Sequence, residues 1–128
     1  MRDRDSGQDI YLIMHETSLI EFTLNAVESR ALSMDIGRVT AIHLVIGELR
    51  GALPDLMERA FVFLSGKRPL FHGCRLDIKT VPAVLRCRNC GREYGIEHLY
   101  GAECPGCGSP EYEIVSGNEL LIDSFDAE

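Results

Sequence analysis

Two short turns of the same form, Cys87-Arg88-Asn89-Cys90-Gly91 and Cys104-Pro105-Gly106-Cys107-Gly108, stand thirteen residues apart and constrain this chain more than any other feature. The two-residue gap in each turn lets both thiolates reach one metal. The glycine after the second cysteine lets the backbone take a positive φ and turn its N–H groups toward sulfur. Four soft anionic ligands at about 2.3 Å suit tetrahedral Zn(II), with iron as the chemical rival. No position is left open for water, so the metal is expected to be structural, which makes a metal hydrolase the least favoured alternative. The segment needs the help. Between Cys87 and Cys107 the large apolar residues are Tyr94, Ile96, Leu99 and Tyr100, too few for a core, whereas zinc bound to such knuckles contributes on the order of 10 kcal/mol.

Composition narrows the rest. A chain of 128 residues, 45% hydrophobic, has room for one modest core and a satellite lobe. The apolar run Ile10 to Met14 is too short for a membrane span or a signal-peptide core, which places the protein in the cytoplasm and favours metal over disulfides for the cysteine pairs. A net charge of -7 disfavours a partner held by phosphates. After Arg92 there is no Lys or Arg, while Glu93, Glu97, Glu103, Glu111, Glu113, Glu119, Asp123, Asp126 and Glu128 follow.

Periodicity supplies the elements. Ile20, Leu24, Val27, Ala31 and Met34 recur at helical spacing, and Ser18 with Glu21 has the form of a capping box, so a helix is expected over about 17–34 with Gly37 as its left-handed exit. Arg38 to Leu49 alternates and is β-branched, which reads as a strand. Pro54 opens a second helix with an apolar stripe of Leu53, Leu56 or Met57, Ala60, Phe63 and Leu64, closed by Gly66. Arg75 to Val81 and Glu119 to Phe125 read as strands, with Pro82 breaking the first. The expected class is α+β: a small mixed sheet of about three strands with two helices, plus an inserted four-cysteine zinc-ribbon lobe. Residues 1–13 are expected to be an extension, disordered or not native, 14–85 and 111–126 an α/β domain, and 86–110 the ribbon.

Met14-His15-Glu16 precedes the first expected helix, where leading backbone N–H groups lack intrahelical partners, and a neutral imidazole there can ligate Ni(II) or Cu(II). On spacing alone a single histidine beside a helix start also reads as an ordinary first-turn residue. Met14-His15-Glu16-Thr17-Ser18-Leu19, then Val45-Ile46-Gly47-Glu48-Leu49, Arg75-Leu76-Asp77-Ile78, the two knuckles, and Gly117-Asn118-Glu119-Leu120 together resemble the HypA/HybF family of hydrogenase maturation nickel chaperones, over about residues 14 to 125. That resemblance implies a cytoplasmic, non-enzymatic nickel carrier with one structural zinc on Cys87, Cys90, Cys104 and Cys107. It implies nickel on His15, with the amides of His15 and Glu16 and the amine of Met14 completing the set. The implied partners are a maturation GTPase of the HypB type and the [NiFe] hydrogenase large subunit, with urease as a further recipient and a homodimer as the open assembly. The family motif starts at the first residue, whereas thirteen residues precede Met14 here, so its nitrogen is an amide in this chain.

Other metal-capable residues have plainer readings. His43 reads as a satisfied or exposed surface residue on its strand, His72 and Cys74 as an incidental loop pair with Cys74 packed as a small apolar residue, and His98 as an exposed loop residue between the knuckles. No nucleotide-binding motif is present and no nucleophile has a recognisable base, so the chain is not read as an enzyme. Two alternatives stand beside the nickel carrier: a zinc-ribbon adaptor that binds protein without nickel, and a nucleic-acid-binding ribbon, which the balance of Arg86, Arg88 and Arg92 against Glu93, Glu97 and Glu103 disfavours.

Overall fold

The computed structural model describes residues 4–96 and 103–128, with the backbone alone for 4–15. Helix α1 (Arg4–Ser33) is followed by strand β1 (Val39–Gly47), a 3-10 turn at Glu48–Arg50, helix α2 (Pro54–Ser65), a second 3-10 turn at Pro69–Phe71, and strands β2 (Arg75–Val81), β3 (Val84–Cys87), β4 (Glu93–Tyr94), β5 (Tyr112–Ser116) and β6 (Leu120–Ala127). The strands form two three-stranded sheets, in the orders β2-β1-β6 and β4-β3-β5. The first sheet and both helices match the expected class. The second sheet, inside the cysteine lobe, was not legible as strands.

The chain divides into two compact units. One takes in the chain up to Leu44 with Ala52–Ile78 and Ile122–Glu128; the other is Val45–Gly51 with Lys79–Leu121. In the first, Ile20, Leu24, Val27 and Ala31 of α1 are buried at the spacing the sequence shows, as are Met57 and Phe61 of α2 and Val39, Ala41, Ile42 and Leu44 of β1. α1 differs from expectation at both ends. It runs through Ser18 and Glu21, so these residues sit inside the helix and cap nothing. No Pro lies between Arg4 and Thr17 to end the helical run, and the single Gly7 only weakens it.

At the other end the left-handed residue is Asp35 (φ 58), not Gly37. The N–H of Ile36 reaches Ala31 O at 2.9 Å and that of Asp35 reaches Leu32 O at 3.2 Å. This is the six-to-one and five-to-two pair of a Schellman closure, which aspartate tolerates because its short polar side chain suits that conformation. Met34, expected in the core, falls in this exit and is exposed.

α2 begins at Pro54, as expected, with Leu53 in extended conformation before it. Its buried row is Met57, Phe61 and Ser65, with Ala60 and Leu64 half-buried. Leu53, Leu56 and Phe63 of the expected stripe stand in solvent instead. The apolar arc of the helix is wider than the surface packed against it.

In the second unit two of the quoted sequence segments meet, with Ala83 packed against both. The Gly47 N–H donates to Glu119 O at 2.7 Å, Leu49 N–H to Gly117 O at 2.8 Å, and Ala83 N–H to the Glu48 carboxylate at 2.7 Å. A Cβ on Gly47 would collide with the Gly117 carbonyl, and one on Gly117 (φ 103) with the backbone of Ala83. The glycines in Val-Ile-Gly-Glu-Leu and Gly-Asn-Glu-Leu therefore mark a close crossing of backbones.

Candidate metal centre

The lobe sheet delivers the first knuckle. β3 pairs antiparallel with β4 and β5, placing Arg86 opposite both Glu93 and Glu113. The guanidinium spans the two carboxylates at 2.7 and 3.1 Å, tying the three strands together on one face. Cys87 ends β3 and is buried.

The two knuckles repeat one backbone pattern. Gly91 N–H donates to Cys87 O at 2.9 Å and Gly108 N–H to Cys104 O at 2.8 Å. Cys87 N–H donates to Arg92 O at 2.8 Å and Cys104 N–H to Ser109 O at 3.0 Å. Gly91 and Gly108 have φ of 82 and 79, the conformation expected of them.

The four sulfurs converge, all within 4.8 Å of one another. Cys87 and Cys107 Sγ stand 3.5 Å apart, and Cys90 and Cys104 Sγ 3.6 Å. A tetrahedron of thiolates at the usual zinc distance has sulfur edges of about 3.8 Å, so the cluster is already near the size zinc requires. The amides of Asn89 and Cys90 point at Cys87 Sγ at 3.3 and 3.4 Å, and that of Gly106 at Cys104 Sγ at 3.3 Å.

The thiols diverge in acidity. The Cys90 amide, with that of Asn89, draws Cys87 down to about 6 against its burial. At Cys90 the Arg92 amide pulls down, but the neighbouring cysteine sulfurs and burial outweigh it and push the thiol up to about 11. At Cys104 burial pushes up, and the amides of Cys107 and Gly106 with the Cys90 thiol more than compensate, leaving it lowered. Four sulfurs this close do not all ionise without a cation among them. The arrangement can hold a metal such as zinc, and it leaves no ligand position open.

The amino-terminal motif is placed differently from expectation. Met14, His15 and Glu16 lie within α1, where backbone amides bond the carbonyl four residues earlier and are not free. The Glu16 side chain is buried, 5% exposed, and its Oε2 accepts the N–H of Leu53, just before α2, at 2.9 Å.

Residues 14–127 match the family described as hydrogenase/urease nickel incorporation metallochaperone, hypA. The chain belongs to that family. The hydrogenase maturation factor HypA of Moorella thermoacetica is 36% identical over 115 residues, covering 90% of this chain and 100% of the relative. That of Geobacter metallireducens is 35% identical with the same coverage. A solution structure titled as HypA protein shares the fold at TM-score 0.65 and 23% identity, covering 90% of this chain and 97% of the other. The solution structure of the Ni metallochaperone HypA from Helicobacter pylori gives TM-score 0.60 at 24% identity, over 88% and 96%. This family is one of metallochaperones, not of enzymes.

Of the remaining histidines in this HypA-family chain, His43 is satisfied on its strand. Its Nδ1 lies 3.2 Å from Asp77 of β2 and its Nε2 3.0 Å from Asp126 of β6, so it stitches three neighbouring strands. The carboxylates lie far away in sequence, and only the strand order brings them to the ring. His72 and Cys74 line one hollow of about 460 Å³ with Phe61 and Phe71. Burial pushes the Cys74 thiol up to about 11, with Arg75 opposing, so it is a neutral packing group as expected. His98 lies outside the described residues. Among those described, no helix is long and apolar enough to cross a membrane.

Proposed function

We propose that this chain is a cytoplasmic nickel carrier for [NiFe] hydrogenase assembly, with urease as a second recipient. It binds one Ni(II) through His15 and holds one structural Zn(II) on Cys87, Cys90, Cys104 and Cys107. The observation that carries the reading is the family match, which begins at Met14 and so takes in Met14-His15-Glu16 together with both knuckles. The nickel set is the His15 imidazole with the amide nitrogens of His15 and Glu16 and the nitrogen of Met14. The Glu16 carboxylate is not in it, because it is buried on the Leu53 amide. Square-planar nitrogen ligation suits Ni(II). Its recipients are a maturation GTPase and the hydrogenase large subunit.

α1 adds a condition. While Met14-His15-Glu16 is helical its amides are committed, so nickel binds when the turn before Thr17 opens, or when the chain starts at Met14 and these residues become a first turn with free N–H groups. A cation at a helix start also faces the positive end of the dipole, costing about 0.3–1 kcal/mol, which favours weak and exchangeable binding.

Native mass spectrometry of the protein with added nickel tests the reading. The expected species carries one zinc and one nickel per chain. One zinc with no nickel would support the adaptor reading instead.

A further inference from the structure

α2 carries an apolar row that nothing among the described side chains of its own unit covers. Leu53, Leu56 and Phe63 are 56, 37 and 64% exposed, and with Ala60 between them they fall on one side of the helix. Isolated exposed apolar residues need no explanation, but a row at helical spacing does. The row begins at the residue whose N–H is held by Glu16, the neighbour of His15 in sequence.

Its chemistry is polarised. Lys67 Nζ sits 4.1 Å over the Phe63 ring, and Arg59 lies one turn before Phe63 on the same flank. Neither cation has an ion-pair partner among the described residues. Beyond Arg59 a hollow of about 560 Å³ is lined by Asp55, Glu58, Arg59, Val62 and Phe63. Asp55 and Glu58 edge it on the side away from the row.

We propose that the Leu53-Leu56-Phe63 row, with Arg59 and Lys67, is the docking surface for the protein that receives the nickel, through a recipient segment that alternates apolar side chains with carboxylates. The inference rests on the nickel-carrier reading for the nature of the cargo. The surface is chosen by two observations. One is its start at the Glu16–Leu53 hydrogen bond, since a recipient must come within a few ångströms of the metal. The other is charge: two unpaired cations flank the row, so carboxylates on the partner gain and cations lose. A second copy of this chain could offer acidic residues, but two such chains of charge -7 repel.

The probe is a hydrogenase maturation GTPase of the HypB type, titrated by calorimetry against the full zinc-loaded protein. Phe63→Glu and Leu56→Glu should each weaken the complex by roughly tenfold or more, as loss of an apolar anchor does. The double variant Arg59→Glu, Lys67→Glu should also weaken it and flatten its salt dependence. All three should keep the zinc content and the nickel affinity of the parent, because these exposed side chains touch neither metal site. Leu32→Glu, exposed on α1, should leave the complex unchanged.

Absence of any complex with the parent chain, unchanged affinity in Phe63→Glu and Leu56→Glu, or tighter binding by the Arg59, Lys67 double variant would each overturn the proposal. A concentration-dependent dimer that Phe63→Glu abolishes would assign the row to a second copy and overturn it too. The nickel-carrier reading fails separately, by loss of nickel stoichiometry in the parent, whatever the calorimetry shows.

Discussion

Glu16 Oε2 accepts the backbone N–H of Leu53 at 2.9 Å, so the residue after His15 holds the chain just ahead of α2. A buried carboxylate engaged this way is a fastening between α1 and the start of α2. Its loss leaves a backbone donor unpaired, which costs about 1–3 kcal/mol. Glu16→Ala should therefore lower urea-unfolding stability by about that amount, while Glu16→Gln, which keeps an acceptor oxygen, should lose less. Equal stability of Glu16→Ala and the parent would show the bond to be idle.

The backbone crossing of Gly47 and Gly117 makes a sharper prediction. Gly47→Ala and Gly117→Ala each force a Cβ into the facing main chain, so either should cost about 2 kcal/mol or more, or prevent folding. Gly37 has nothing within 4 Å of its notional Cβ. Gly37→Ala should be neutral, or stabilising by up to about 1 kcal/mol. Thermal melts of the three variants would show this order, and a Gly37→Ala protein as damaged as Gly47→Ala would refute the packing argument.

Zinc uptake by the metal-free protein should release protons, because a ligand must be a thiolate to bind. At pH 7 Cys90, pushed up to about 11, is protonated, whereas Cys87, held down at about 6, is already mostly thiolate. The proton count should lie above one and below four, and zinc should be lost as pH falls and the thiolates protonate. Calorimetry in two buffers of different ionisation enthalpy measures the count. Cys104→Ala should abolish stoichiometric zinc and unfold the lobe.

Cys74 should alkylate slowly at neutral pH even when the four knuckle thiolates are masked by zinc. Its thiol is held neutral up to about 11, so its labelling rate should still be rising between pH 9 and 10. A rate half-maximal near pH 8.5 and level by about pH 10, as for a free thiol, would contradict the burial.

The legibility of this fold followed the range of the signals. Cys87, Cys90, Cys104 and Cys107 were readable because the metal imposes their spacing locally, and Ile20, Leu24, Val27 and Ala31 because a helix face repeats within a few residues. Gly37 reads as the exit because glycine is the common residue there, and the hydrogen bonds that select Asp35 are visible only in the closed turn. The Ser18–Glu21 pair has the form of a cap because local sequence alone does not tell whether a helix continues upstream. Phe63 reads as part of the apolar stripe because it is apolar at helical spacing, yet α2 buries the adjacent row. His43 with Asp77 and Asp126, and Glu16 with Leu53, depend on strand order and helix docking, which a single sequence does not encode locally.

The central claim is that His15 carries the nickel, and nickel titration of zinc-loaded protein tests it, comparing the parent, His15→Ala and a chain beginning at Met14 across pH 6 to 8. The account predicts one nickel per parent chain, none bound specifically by His15→Ala, and unchanged zinc in all three. It also predicts tighter binding, extending to lower pH, in the chain that starts at Met14, because an amine of pKa about 8 sheds its proton far more readily than a backbone amide. Equal nickel affinity in the parent and His15→Ala would contradict the account outright.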